Sequence, residues 1–166
     1  YLSGANAFVS KTKLLALGGF DEIFAPFYVE DFEISLRAWR LGWKCYYEHF
    51  AVCRHQTSLT IKSKSSKTYI NSIYYRNKMF LHAMHLSGIQ LFLWYIQLIP
   101  ETIIRLLTLR FYYLRSVKYF FKNRKRAAQS RQKFATMAQS TGTMLSVQQV
   151  VSLIKRSLKD IDIKRF

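Results

Sequence analysis

Residues 18–42 read GGFDEIFAPFYVEDFEISLRAWRLG. Gly18 and Gly19 end a short helical pattern over residues 11–17, because glycine takes the left-handed conformation that closes a helix. Phe20-Asp21-Glu22 then leads into a loop holding Pro26 and the aromatics Phe24, Phe27 and Tyr28, and a second helix starts at Glu30-Asp31. At about 100° per residue, Phe32, Ile34, Ser35, Leu36, Ala38, Trp39 and Leu41 fill one broad face. Glu33, Arg37 and Arg40 share the other, with Glu33 and Arg37 in the favourable i,i+4 order. Gly42 closes that helix. Two carboxylates thus stand at the mouth of an anchored helix beneath an aromatic-lined loop.

That arrangement suits a catalytic base. A helix N-terminus favours an ionised carboxylate, and a partly apolar loop or a neighbouring acid can raise its pKa toward working pH. Helix capping is the competing reading, since acidic residues are common in first turns. On these two residues alone both stand.

Upstream, residues 2–9 are apolar and small and predict a strand, in which Gly4 allows close backbone approach to a ligand and Asn6 offers a hydrogen bond. A buried strand with a glycine bulge explains the same residues. Downstream, residues 43–47 and 50–54 are two short β-rich runs, read as a hairpin or neighbouring edge strands, with His55 directly after the second. Residues 56–67, rich in Ser, Thr and Lys, read as a loop. Ser66 is placed to cap a long helix running to about Leu86, with Ile70, Ile73, Asn77, Leu81 and Met84 near one face. Cys45 and Cys53 have no metal-type spacing and read as packing thiols. His82 and His85 lie three apart with no carboxylate beside them in sequence.

The charge is uneven. The 166 residues carry a formal net charge of +17, yet residues 1–50 hold five Lys/Arg against six Asp/Glu and residues 51–166 hold twenty-one against three. The front resembles a globular enzyme piece and the back a surface that meets anions. The uncharged stretch from His82 to Pro100 has nearly the length of a membrane span. Its two histidines, two glutamines, serine, glycine and proline make it poor material for a lipid-exposed helix. From Arg105 to Lys133 ten basic residues and no acid are mixed with aromatic and aliphatic bulk. This mixture predicts helices lying on an anionic membrane surface. Nucleic acid is the disfavoured alternative, because no recognisable nucleic-acid module is present, and helix packing within the intact protein, with the cations merely solvated, is the third. Residues 129–142 read as a loop or frayed helix, and residues 147–158 as one last amphipathic helix.

The ordered set Ser3-Gly4-Ala5-Asn6-Ala7-Phe8, Gly18-Gly19-Phe20-Asp21-Glu22, Tyr28-x-Glu30-Asp31-x-Glu33, Arg37, Gly42 and His55 resembles the second half of the catalytic domain of family 2 inverting glycosyltransferases, particularly rhamnosyltransferase-like members. The resemblance covers residues 2–76. It implies an α/β fold: part of a Rossmann-like GT-A glycosyltransferase domain over residues 1–80, followed by a mainly helical basic extension over residues 81–166. The implied reaction moves a sugar from a nucleotide-sugar donor to a glycan or lipid-linked acceptor hydroxyl with inversion, in envelope or surface polysaccharide synthesis. Asp31 is then the catalytic base and Glu30 its neighbour in the acceptor site. Gly4, Asn6 and Arg76 are substrate contacts, Arg76 with Asn77 resembling an Arg-Asn pair that follows the family's histidine loop. His55 is a ligand for Mg²⁺ or Mn²⁺. The family's Asp-x-Asp motif has no counterpart in the expected order, so the chain is read as a piece of a longer protein, inactive alone, working in the cytoplasm at the inner face of the cell membrane. The rival reading is a non-enzymatic module that binds membrane or nucleic acid.

Overall fold

In the computed structural model, which describes residues 2–4, 6–48, 50–52 and 65–158, every regular element among the described residues is a helix. Ser10 caps α1 (Lys11–Ala16) by accepting from the Lys13 amide, and Gly18 and Gly19 close it at φ 73° and 69°. A 3-10 turn (Glu22–Phe24) follows, capped by the Asp21 side chain, and then α2 (Glu30–Arg40). The Ser66 hydroxyl caps α3 (Lys67–His85) as its position predicts. Then come α4 (Gly88–Leu107), α5 (Phe111–Lys122), α6 (Arg124–Thr141) and α7 (Val147–Ser157), the last opened by a capping box of Ser146 and Gln149.

The α/β, Rossmann-like expectation is therefore wrong for the described residues. A strand persists only where a neighbouring backbone completes its ladder, and none does so here. In the predicted strand at residues 2–9 the Leu2 amide donates to Ser35 Oγ, that of Gly4 to Asp31 Oδ2 and that of Asn6 to the Ser3 carbonyl. In the predicted hairpin, Trp43 bonds back to the Ala38 carbonyl, and the Phe50 and Ala51 amides turn onto Glu48. Cys53 and Arg54 lie outside the described residues.

Two apolar clusters hold the helices together. In the larger, Phe24 of the 3-10 turn packs with Phe80 and Met84 of α3, Trp94 of α4, and Tyr113 and Phe120 of α5. In the smaller, Leu17, Ile34, Ala38 and Leu41 meet Phe134 and Ala138 of α6. That second contact overturns the loop reading of residues 129–142. One buried stripe, Ala127, Ser130, Phe134 and Ala138, at helical spacing is enough to order an otherwise polar segment.

The face assignment of α2 is also corrected. Glu33, Arg37 and Arg40 are buried, Glu33 completely, whereas Phe32 is exposed. Arg37 holds Glu33 in a two-pronged pair (Nε to Oε1 2.9 Å, Nη2 to Oε2 2.7 Å) and donates to the carbonyls of Leu17 and Gly19. The Glu33 Oε1 atom also meets His85 Nε2 at 3.1 Å, and His85 Nδ1 faces Arg40 Nη1 at 3.1 Å. Arg40 lies 4.7 Å over the Phe134 ring, and its Nε donates to the Leu145 carbonyl.

A guanidinium has no acceptor, so His85 Nδ1 accepts from Arg40 and the single imidazole proton sits on Nε2, donating to Glu33. Burial pushes the His85 pKa down; Glu33 opposes this, while the Arg40 and Arg37 charges add to it. A second proton, on Nδ1, would set donor against donor. The folded-state pKa lies below the unfolded one, so the unfolded chain binds more protons as pH falls through the ordinary imidazole value of 6.5. Stability is therefore full above that value and declines below it, before the carboxylates titrate near pH ~4. A urea midpoint lower at about pH 5.5 than at about pH 7.5 is the expected result, with the difference reduced by His85→Gln and the remainder due to His82, whose pKa burial also lowers.

Candidate active site

The aromatic loop that enters α2 is held from behind. Asn77, buried on α3, donates through Nδ2 to the carbonyls of Phe24 (2.7 Å), Phe27 (3.0 Å) and Tyr28 (2.8 Å). Its Oδ1 accepts from Arg76 Nε and Nη2, and Arg76 Nη2 also donates to the Ala25 carbonyl. Tyr28 and Val29 both take left-handed backbone, at φ 71° and 77°. A β-branched residue is a genuine outlier there, and each such residue costs about 1–3 kcal/mol and persists only where its surroundings impose the conformation. The Asn77 clamp imposes it, and edge-on contacts of Phe27 with Tyr69 and of Tyr28 with Tyr74 brace the loop from outside.

This strained turn delivers the first residues of α2. Val29 is the N-cap and supplies no side-chain cap, so neither Glu30 nor Asp31 is the N-cap residue. Asp31 Oδ1 accepts from the Phe32 amide at 2.7 Å and Oδ2 from the Gly4 amide at 3.3 Å. The Ser35 hydroxyl donates to the Asp31 carbonyl and accepts from the Leu2 amide, pinning residues 2–4 along the helix. Asp31 is half-buried, with both oxygens oriented. Burial raises the Glu30 pKa above the usual carboxylate range, the Asp31 charge adding to it and Glu30's own backbone amide opposing. Glu30 Oε2 is buried with no hydrogen-bond partner among the described residues.

The structure brings Gly4, Glu30 and Asp31 together. The Gly4 amide serves Asp31 directly. A Cβ there would stand 3.8 Å from that of Asp31, an ordinary contact, so close approach does not itself demand glycine. Asn6 is exposed, its amide turned onto Ser3. Arg76 stands apart, buried, its Nε and Nη2 committed to Asn77 and Ala25 and its guanidinium 4.8 Å over Tyr119. A cavity of about 230 Å³ between α3 and α5, bordered by Arg76, Arg115, Ser72 and Tyr119, is the route by which an anion would reach it. A cavity of about 340 Å³ beside α6 is bordered by Asp21, Glu22, Arg126 and Lys133 but by neither Glu30 nor Asp31. His55 lies outside the described residues. Among the described residues no group of three His, Cys, Asp or Glu side chains is placed to hold a metal ion.

Asn77 and the left-handed pair Tyr28-Val29 went unrecognised as the devices that aim the acidic helix. The side chains of Tyr and Val give no signal of positive φ, and the clamp reaches across about fifty residues of sequence.

The α2 start thus presents one carboxylate held by two amides and, beside it, a carboxyl with one unpartnered buried oxygen. The sequence model of the family described as Glycosyl transferase family group 2 matches residues 1–151, and the chain belongs to that family. Its chemistry is glycosyl transfer, from a sugar donor to an acceptor. No curated protein and no solved structure matches the chain.

Proposed function

We propose that the chain serves transfer of a sugar from a nucleotide-sugar donor to an acceptor hydroxyl with inversion at the anomeric carbon, Asp31 acting as base. The observation that carries this reading is the oriented, half-buried Asp31 carboxylate, held by the Gly4 and Phe32 amides. In the step, the acceptor O–H proton passes to Asp31 as the oxygen lone pair forms a bond to the anomeric carbon. The bond from that carbon to the diphosphate oxygen breaks, and the nucleoside diphosphate leaves with the electron pair. Attack from the face opposite the leaving group gives inversion. Glu30 is the neighbouring carboxyl of the acceptor site, its pKa raised by burial and by the charge of Asp31. The acceptor class we propose is a glycan or lipid-linked sugar of envelope or surface polysaccharide, met on the cytoplasmic side of the cell membrane.

The test is a transfer assay on the parent protein with a panel of nucleotide sugars, a rhamnosyl donor first, reading nucleoside diphosphate release and the anomeric configuration of the product by NMR. Acceptor-dependent release with inverted configuration is expected. A product of retained configuration would sink the single-displacement mechanism, and no release from any donor would sink the assignment.

A further inference from the structure

Helix α4 is apolar on its outward face as well as on its inward one. Ile89, Phe92, Ile96, Ile99, Ile103 and Leu107 recur at three- and four-residue steps and lie on its outward face, each between 48% and 76% exposed. Its inward face carries Trp94 and Leu98, both buried, and also Glu101 and Arg105, which pair at 3.5 Å, Arg105 lying 4.9 Å over Tyr75. A water-facing helix places such charged groups outward and such aliphatic groups inward. Of the residues that argued against lipid contact in this stretch, Gly88, Gln97 and Pro100 are exposed on α4 beside that row, and three others lie off the helix body. His82 and His85 belong to α3, and Ser87 is the N-cap of α4.

Next to α4, α5 shows the complementary chemistry. Phe111, Arg115, Lys118 and Lys122 are exposed and recur along one side of that helix. Among the described residues no helix is long and apolar enough to cross a membrane. The apolar row of α4 runs about 30 Å at 1.5 Å per residue, long enough to lie along a bilayer surface.

We propose that the outward face of α4 is a seat for an anionic lipid bilayer, the helix lying in the interfacial plane with its aliphatic row among the acyl chains and the α5 cations among the headgroups. Charge complementarity selects this occupant. A second copy of a chain carrying +17 would bring cations against cations, whereas an anionic leaflet attracts them. Nucleic acid would satisfy the cations and leave the aliphatic row in water. The inference is independent of the role given to Asp31.

Flotation of the full chain with vesicles tests it, using phosphatidylcholine alone and phosphatidylcholine mixed with phosphatidylglycerol. The chain is expected to float with the mixed vesicles, less so at high salt. Ile96→Glu combined with Ile103→Glu should weaken binding more than about tenfold, because each removes a large apolar side chain from lipid contact. These side chains face solvent, so the helical circular dichroism should be unchanged. Arg115→Glu with Lys118→Glu should remove the dependence on phosphatidylglycerol. Absence of flotation by the parent, or flotation undiminished in the Ile96/Ile103 variant, would overturn the proposal. So would a concentration-dependent dimer in sedimentation that this variant abolishes and vesicles do not displace. Tight binding of single-stranded RNA that excludes vesicles would do the same.

Discussion

Glu33→Gln is expected to cost about 3–5 kcal/mol of folding stability, the range for removing one partner of a buried ion pair. Among the described residues Glu33 is the one carboxylate in contact with Arg37 and His85, and the buried Arg40 reaches it through His85. Glutamine keeps the shape but takes away the negative charge, leaving the Arg37 cation without its counter-ion away from water. Arg37 also ties the Leu17 and Gly19 carbonyls to α2, so its release loosens the turn that carries Gly18-Gly19-Phe20. Such a loss is a large share of the roughly 5–15 kcal/mol that holds a domain together. Urea unfolding followed by circular dichroism reads it as a lowered midpoint with unchanged slope. A change below about 1 kcal/mol would mean that water enters the site and the pair is effectively a surface one.

The second large effect falls on rate rather than stability. Asp31→Asn is expected to lower kcat about 10²–10⁴-fold, the contribution typical of a positioned general base. KM should change little, because the amide oxygen can still accept from the Gly4 or Phe32 amide and the helix start keeps its geometry. Thermal unfolding should therefore match the parent. Steady-state transfer kinetics on the parent protein decide the matter: a kcat within tenfold of wild type removes Asp31 from the proton step, and a rise in KM alone makes it a binding residue.

The helices were legible wherever their ends carry local chemistry. Gly18-Gly19, Gly42 and Ser66 mark boundaries within one turn of themselves, and the structure agrees with each. The strands were not legible, because a run such as Trp43 to Tyr47 reports only a tendency to extend, while a ladder depends on a second backbone elsewhere. Nor was the burial of Glu33, Arg37 and Arg40. An i,i+4 acid–base pair reads the same in water as in a core, and what buries it are Phe134 and His85, far along the chain. Likewise His85 has no carboxylate near it in sequence, and its partner is 52 residues away. At the candidate site, the Glu30-Asp31 pair was visible as a motif. The unequal environments of the two carboxyls became visible only with the fold.

The link between Arg40 and Leu145 bears on how the chain is made. Arg40 Nε donates to the Leu145 carbonyl, and the Leu145 amide returns a hydrogen bond to the Arg40 carbonyl, closing a ring across 105 positions. At translation rates of roughly 5–20 residues per second, Leu145 is added about 5–20 s after Arg40. Through that interval the acidic helix exists on the ribosome with its buried arginines not yet enclosed. Its final form therefore arrives late in synthesis, although it stands early in the sequence.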